Sequence, residues 1–269
     1  MENKSQYFEF LRALHRGGLS LWLNRRTLLP MAFIPTIVTF LTLMVMRGMM
    51  TDGEGGADVS SFVMALIQIP ADFVTGVYCS LIIFIIMSAP SKKDTDAPVM
   101  FSLNIMERKD LLIAGAIAHV IFGYFASGLF GIVQMIMDPV KAAADSGEPQ
   151  VMMILPIVAI LVFIFYAIRF ALLPILIIGK INVADFYRDH KKFGFSFPIL
   201  LVKIVTAIVA GAFILMISSL TAGMGNNESM HSTSMAIIDI ATSLASVLTT
   251  VWAYAALSIG IRQLLGGAK

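Results

Sequence analysis

VMMILPIVAILVFIFYAIRFALLPILIIGK, residues Val151 to Lys180, decides how the chain is read. Between Met152 and Gly179 nearly every side chain is apolar, and a run of this length crosses a hydrocarbon core of about 30 Å as a helix. Arg169 stands well inside that run. A guanidinium at such depth costs from about 2.5 to more than 10 kcal/mol, depending on the scale. It persists only where it faces protein, a wet cavity or an anionic partner. The stretch therefore implies a membrane protein with a buried polar feature.

Composition agrees. Of 269 residues 58% are hydrophobic and 13% charged, against about 25% charged in soluble proteins. A formal charge of +2 gives no reason to expect a nucleic-acid partner. Cys79 is the single cysteine, so no intrachain disulfide framework exists, and its apolar surroundings read as a packed thiol. The apolar segment from Leu28 to Met46 follows a basic leader and lacks a small-x-small cleavage pattern, so it reads as a retained helix.

Five further apolar segments follow, giving spans at 28–46, 62–88, 111–137, 151–179, 197–220 and 235–258. Pro70 suggests a bend near the start of the second. Polar connections separate the spans and leave no room for a soluble domain. Prolines near the starts of the first and fourth spans are the only hint of an inverted repeat, and proline is common at helix starts. Within 1–27, Tyr7, Phe8, Leu11, Leu14 and Leu19 recur at helical spacing, with Arg12 and Arg16 between them. This pattern predicts an interfacial amphipathic helix, either on anionic headgroups or packed on the protein's own face. The expected fold is thus all-α: that helix followed by a single six-helix transmembrane domain over 28–265.

Lysine and arginine set the orientation. With the N-terminus inside, fifteen fall in the leader, inner connections and tail, two (Arg47 and Lys141) fall outside, and two (Arg169 and Lys203) fall within spans. Both termini are expected in the cytoplasm.

The third span carries Gly115, His119, Gly123, Ser127 and Gly131 at steps of four, a stripe that lets another backbone approach closely. His119 interrupts it and should face protein. His119 lies nine residues after Asp110 and Arg169 eleven before Lys180, so both sit roughly 13 to 17 Å from the inner end at 1.5 Å per residue. Lys203 is a third base in the inner half, and Tyr166 is one turn from Arg169. Two readings follow. Arg169, His119, Lys203 and Tyr166 could line a basic cavity for an anionic headgroup or other anion. Alternatively, Arg169 bonds backbone carbonyls and Tyr166 while Lys203 snorkels to the interface. In the outer half the ionisable residues are acidic, Asp72 and Asp239, the carriers a proton-coupled transporter would need.

Methionines concentrate toward the outer ends, and Met46, Met49, Met50 and His231 could gather around Cu(I). Methionine is also a flexible apolar filler, and no metal or other cofactor is assigned. His15, His119, His190 and His231 lie on different segments without metal-ligand spacing. No nucleophile elbow, phosphate loop or paired intramembrane carboxylates on one helix point to an enzyme. The polar run Asp185 to Lys192 reads as a solvated helical connection or as a docking loop.

The segment Tyr166-Ala-Ile-Arg-Phe-Ala-Leu-Leu-Pro174-Ile-Leu-Ile-Ile-Gly179-Lys180 resembles a loose family of bacterial six-span proteins. These are the YciC-type inner-membrane proteins and the membrane domain attached to glycerophosphodiester phosphodiesterases. That family shows an Arg, then a Pro, then a Gly before a cytoplasmic amphipathic segment. The Ser-x-x-Leu-Thr-like stretch usual after the Gly is missing here. The resemblance implies a bacterial inner-membrane location and an accessory or lipid-related role. The leading expectation is a non-catalytic inner-membrane protein with a lipid- or anion-binding cavity. Its partners would be membrane lipids, anionic ones included, with protein partners or a second copy also open. A small proton-coupled transporter is the alternative, and copper handling is third.

Overall fold

The computed structural model describes residues 9–51, 61–88, 108–145, 151–222 and 228–266, and no strand occurs among them. The helices are α1 (Phe10–Leu23), α2 (Arg25–Thr51), α3 (Ser61–Ser88), α4 (Lys109–Asp145), α5 (Val151–Ala167), α6 (Leu173–Ile178), α7 (Val183–Asp189), α8 (Ser196–Ala222) and α9 (Glu228–Gly266). Among the described residues six segments are long and apolar enough to cross a membrane: Arg25–Met49, Val63–Ser88, Lys109–Ala126, Ile157–Ile178, Ser196–Thr221 and Thr233–Leu265. The all-helical, six-span architecture expected from the sequence is the one observed. It follows from a solvent that offers no hydrogen bonds, where a helix satisfies its backbone within itself. We call the side of the bundle that carries α1 and the last turns of α9 the terminal end, and the opposite side the far end.

α3 and α9 form the centre, since most of each spanning window is buried, whereas α2, α4 and α8 are mostly uncovered. Ile82, Ile83 and Ile86 of α3 pack with Tyr254, Leu257 and Ile261 of α9, with Ile175 and Leu176 of α6, and with Leu172 just before it. Cys79 is buried in this cluster. Tyr78 donates its hydroxyl to the main-chain oxygen of Leu28 at 2.8 Å, tying α3 to the first turns of α2.

The span expected as one helix over 151–179 is divided. A 3-10 turn at Ile168–Leu172 separates α5 from α6. Pro174, in the first turn of α6, has no N–H to donate and its ring crowds the carbonyl four residues earlier, which tightens the turn before it. Pro70, by contrast, lies inside α3 without ending it.

α1 packs along α9. Ala13, Leu14, Gly17 and Ser20 are buried, while Leu11 is 68% and Trp22 64% exposed on the other side. Trp252 donates its indole N–H to the Leu14 carbonyl at 2.9 Å. A Cβ at Gly17 would lie 2.8 Å from the Ala256 nitrogen, so only glycine permits this approach. We expect Gly17→Leu to lower stability by about 1–3 kcal/mol through overpacking, read as the thermal midpoint in detergent. Gly211→Ala should leave the midpoint unchanged or slightly higher, since nothing lies within 4 Å of that position.

Candidate functional site

Arg169 is 7% exposed, and all three nitrogens of its guanidinium donate hydrogen bonds. Its Nε donates to Ser196 Oγ at 2.7 Å. One terminal nitrogen donates to the Lys192 carbonyl at 2.7 Å, and both reach the Lys191 carbonyl at 3.3 and 3.4 Å. The group also lies over the Tyr166 ring, 4.9 Å from its centroid. These acceptors arrive because the chain after α6 turns back. Lys180 takes a left-handed φ of 54°, and Asn182 caps α7 by accepting from the amides of Ala184 and Asp185 at 3.0 and 3.3 Å. Phe186 then anchors the segment in the core, stacked on His190 at 4.4 Å. Tyr187 donates to the Arg169 carbonyl at 2.6 Å. Burial holds its phenol above the ordinary pKa although the guanidinium pulls the other way, so it stays a neutral donor.

His119 and Lys203 belong to a second group. His119 Nδ1 is 2.9 Å from the Tyr254 hydroxyl, and the Lys203 ammonium lies 4.8 Å from the Tyr254 ring centroid and 5.8 Å from that of Phe122. The four residues expected around one cavity therefore occur as Arg169 with Tyr166, and His119 with Lys203 through Tyr254. His119 faces protein because small residues bring α3 and α4 together. A Cβ at Gly76 would stand 3.0 Å from Ala116 Cα, and one at Gly115 would stand 2.5 Å from Ser80 Oγ. The glycine stripe works only over this half, since Gly131 has nothing within 4 Å; the Ser127 side chain is outside the described ones.

His119 also forms part of the wall of a cavity of about 220 Å³ in the far half of the bundle. Thr39, Thr42 and Met46 enter it from α2, Gln68, Asp72 and Thr75 from α3, and Thr242, Ser246 and Thr250 from α9. No Lys or Arg lines it. Hydroxyls elsewhere in the spans bond back to the carbonyl four residues earlier, as Thr36, Ser243, Thr249 and Ser258 do. The six cavity hydroxyls make no such bond among the described residues, nor does the Asp72 carboxylate have a hydrogen bond or ion pair there. Asp72 Oδ2 faces Gly123 on α4. Asp239 differs: its carboxylate is paired with Arg47 at 2.7 Å, joining α2 to α9 at the far rim.

The hydroxyl lining was not singled out from the sequence. Its signal is the polar recurrence Thr36, Thr39, Thr42 in the first span and Thr242, Ser246, Thr250 in the last. Among the described residues no three His, Cys, Asp or Glu side chains gather as metal ligands; the side chains of Met50 and His231, part of the copper reading, lie outside them. No family model, curated protein or solved structure matches the chain. The likeness of Tyr166 to Lys180 to the six-span family stands on those residues alone.

Arg169→Leu should cost about 1–3 kcal/mol for each acceptor left unpaired, with faster proteolysis between α6 and α8. Arg169→Lys should restore only part of this, because an ammonium cannot reproduce the planar fork. Cleavage rates and the thermal midpoint measure both.

Proposed function

We propose that the protein is an integral membrane carrier that binds a small cation at Asp72 and passes it across the bilayer. The supporting observation is one unpartnered carboxylate among six unbonded hydroxyls, in a cavity with no lysine or arginine in its lining. A carboxylate inside a bundle favours a positive neighbour, and the Arg47 guanidinium is held by Asp239 instead. Neutral oxygens around one carboxylate are the ligand set of a hard cation. The volume lies below the roughly 300 Å³ at which pockets for drug-sized ligands begin. It suits a partly hydrated monovalent ion or a small ammonium.

The charge bias of the connections supports a cytoplasmic terminal end, with the cavity toward the outside. That bias and the six-span resemblance together favour a bacterial inner membrane. The lipid- or anion-binding reading has less support, since the guanidinium that would hold a phosphate is committed to Ser196 and two carbonyls. Of the two acids proposed as carriers, Asp72 takes the binding role and Asp239 closes the rim with Arg47.

The test is uptake of sodium, potassium and methylammonium into proteoliposomes of the purified protein. Asp72→Asn should lower the rate of the transported ion at least tenfold while leaving the thermal midpoint within a few degrees. Equal rates in wild type and Asp72→Asn, or no uptake of any probe by wild type, would remove the carrier reading.

A further inference from the structure

At the terminal end of the bundle α3 and α6 finish and α4 begins around a second cavity, of about 440 Å³. Arg262 of α9 donates to the Ile86 carbonyl of α3 at 2.8 Å, which sets this end of α3 beside the last turns of α9. The spans Val63–Ser88, Lys109–Ala126 and Ile157–Ile178 each have one end in the lining or next to it. Span ends mark the border between hydrocarbon and headgroups, so the cavity stands at headgroup depth.

Its wall has two parts. Phe84, Met87 and Leu111 are apolar, whereas Ser88, Arg108 and Lys180 are polar. No Asp or Glu lines it, and the Arg108 and Lys180 side chains make no hydrogen bond or ion pair among the described residues. The acids described at this end lie elsewhere: Asp185 and Asp189 pair with Arg188, Glu9 pairs with Arg12, and Asp110 is exposed outside the lining. The wall is also fixed by packing. A Cβ at Gly179 would lie 2.8 Å from Met87 Cε, and one at Gly115 would lie 2.5 Å from Ile178 Cδ1. The turn into Lys180 is thus pressed against both α3 and α4. A ligand meets walls that are already formed, which lowers the ordering cost of binding.

We propose that this cavity binds the phosphodiester of an anionic phospholipid, drawn from the leaflet at the terminal end, through Arg108 and Lys180. The arginine offers a planar fork that matches two phosphate oxygens, and the lysine adds a point charge. Phe84, Met87 and Leu111 lie against the glycerol and the first methylenes. The volume falls within the roughly 300–1,000 Å³ of ligand pockets. A free phosphate has the same anionic chemistry, but the apolar wall and the depth favour a lipid. A lipid held here bridges α3, α4 and α6. The site is separate from the Asp72 cavity in the far half and does not depend on the cation reading.

The experiment titrates phosphatidylglycerol, phosphatidylcholine or inorganic phosphate into the full chain in neutral detergent, following the thermal midpoint and lipid retention by native mass spectrometry. Phosphatidylglycerol should raise the wild-type midpoint by more than about 3 °C, because a ligand that binds only the folded state stabilises it by mass action. Phosphatidylcholine, whose headgroup carries no net charge, should bind at least tenfold more weakly, and inorganic phosphate should leave the midpoint unchanged. Arg108→Gln, at an exposed residue, should weaken phosphatidylglycerol at least tenfold while keeping the lipid-free midpoint within a few degrees. Adding Lys180→Gln should weaken it further. Lys109→Gln removes a neighbouring exposed charge that does not line the cavity and should bind as wild type does. Binding of wild-type strength in the double variant, or no retention of phosphatidylglycerol by wild type, overturns the site. Equal weakening by Lys109→Gln reduces the effect to diffuse surface charge and overturns it as well. Stabilisation by inorganic phosphate as large as that by phosphatidylglycerol assigns the cavity to a free anion and overturns the lipid.

Discussion

A polar group carried into a membrane has to find its partner within the chain, because hydrocarbon offers none. Most such groups in this bundle do so locally. The span hydroxyls of Thr36, Thr206, Ser243 and Ser258 bond to the preceding turn of their own helix. Arg169 does so at longer range, by drawing the carbonyls of Lys191 and Lys192 and the hydroxyl of Ser196 onto one guanidinium. Against that background the Asp72 carboxylate and the Lys203 ammonium stand out. Each is brought into the bundle and left without an ionic partner by the described residues. The two charges are opposite, and His119 with Tyr254 lies between the cavity and the amine.

The division of labour among the helices follows from their burial. α3 and α9 are the shared wall of both polar features, since each contributes to the cavity and to the packed centre. α4 approaches α3 over Gly76, Gly115 and Ala116, which places His119 between the cavity and Tyr254. The α5–α6 break serves a separate purpose. It turns the guanidinium toward the segment that leads into α8, so the fifth span starts beside Arg169 rather than beyond Lys180. The Arg169 guanidinium is therefore taken up by architecture.

Much of this was legible in the chain. Long apolar runs fixed the number of spans, and a histidine within a glycine stripe had to face protein. Asp72 could be singled out because a carboxylate among apolar neighbours is costly wherever it lies. Backbone carbonyls and Tyr166 as partners of Arg169 were legible as one of two readings, but not which carbonyls, because counting 1.5 Å per residue from Lys180 assumes that the chain leaves the membrane there. Instead Lys180 turns left-handed and α7 climbs back along α6, a tertiary choice governed by Phe186 and the Asn182 cap. The six cavity hydroxyls were hidden for another reason. Serine and threonine are tolerated anywhere in a span because they can bond their own backbone, so only the packing of α2, α3 and α9 shows which of them do not. The split of Asp239 from Asp72 likewise needed Arg47, which belongs to a distant helix end.

The contact of Gly17 with Ala256 joins the first helix of the chain to the last. During synthesis α1 emerges long before α9 is made, so for most of translation its small-residue face has no surface to settle on. Its full seat forms only once α9 has been made as far as Trp252 and Ala256. Without that part of α9, Ala13 and Leu14 would lack the surface that buries them here.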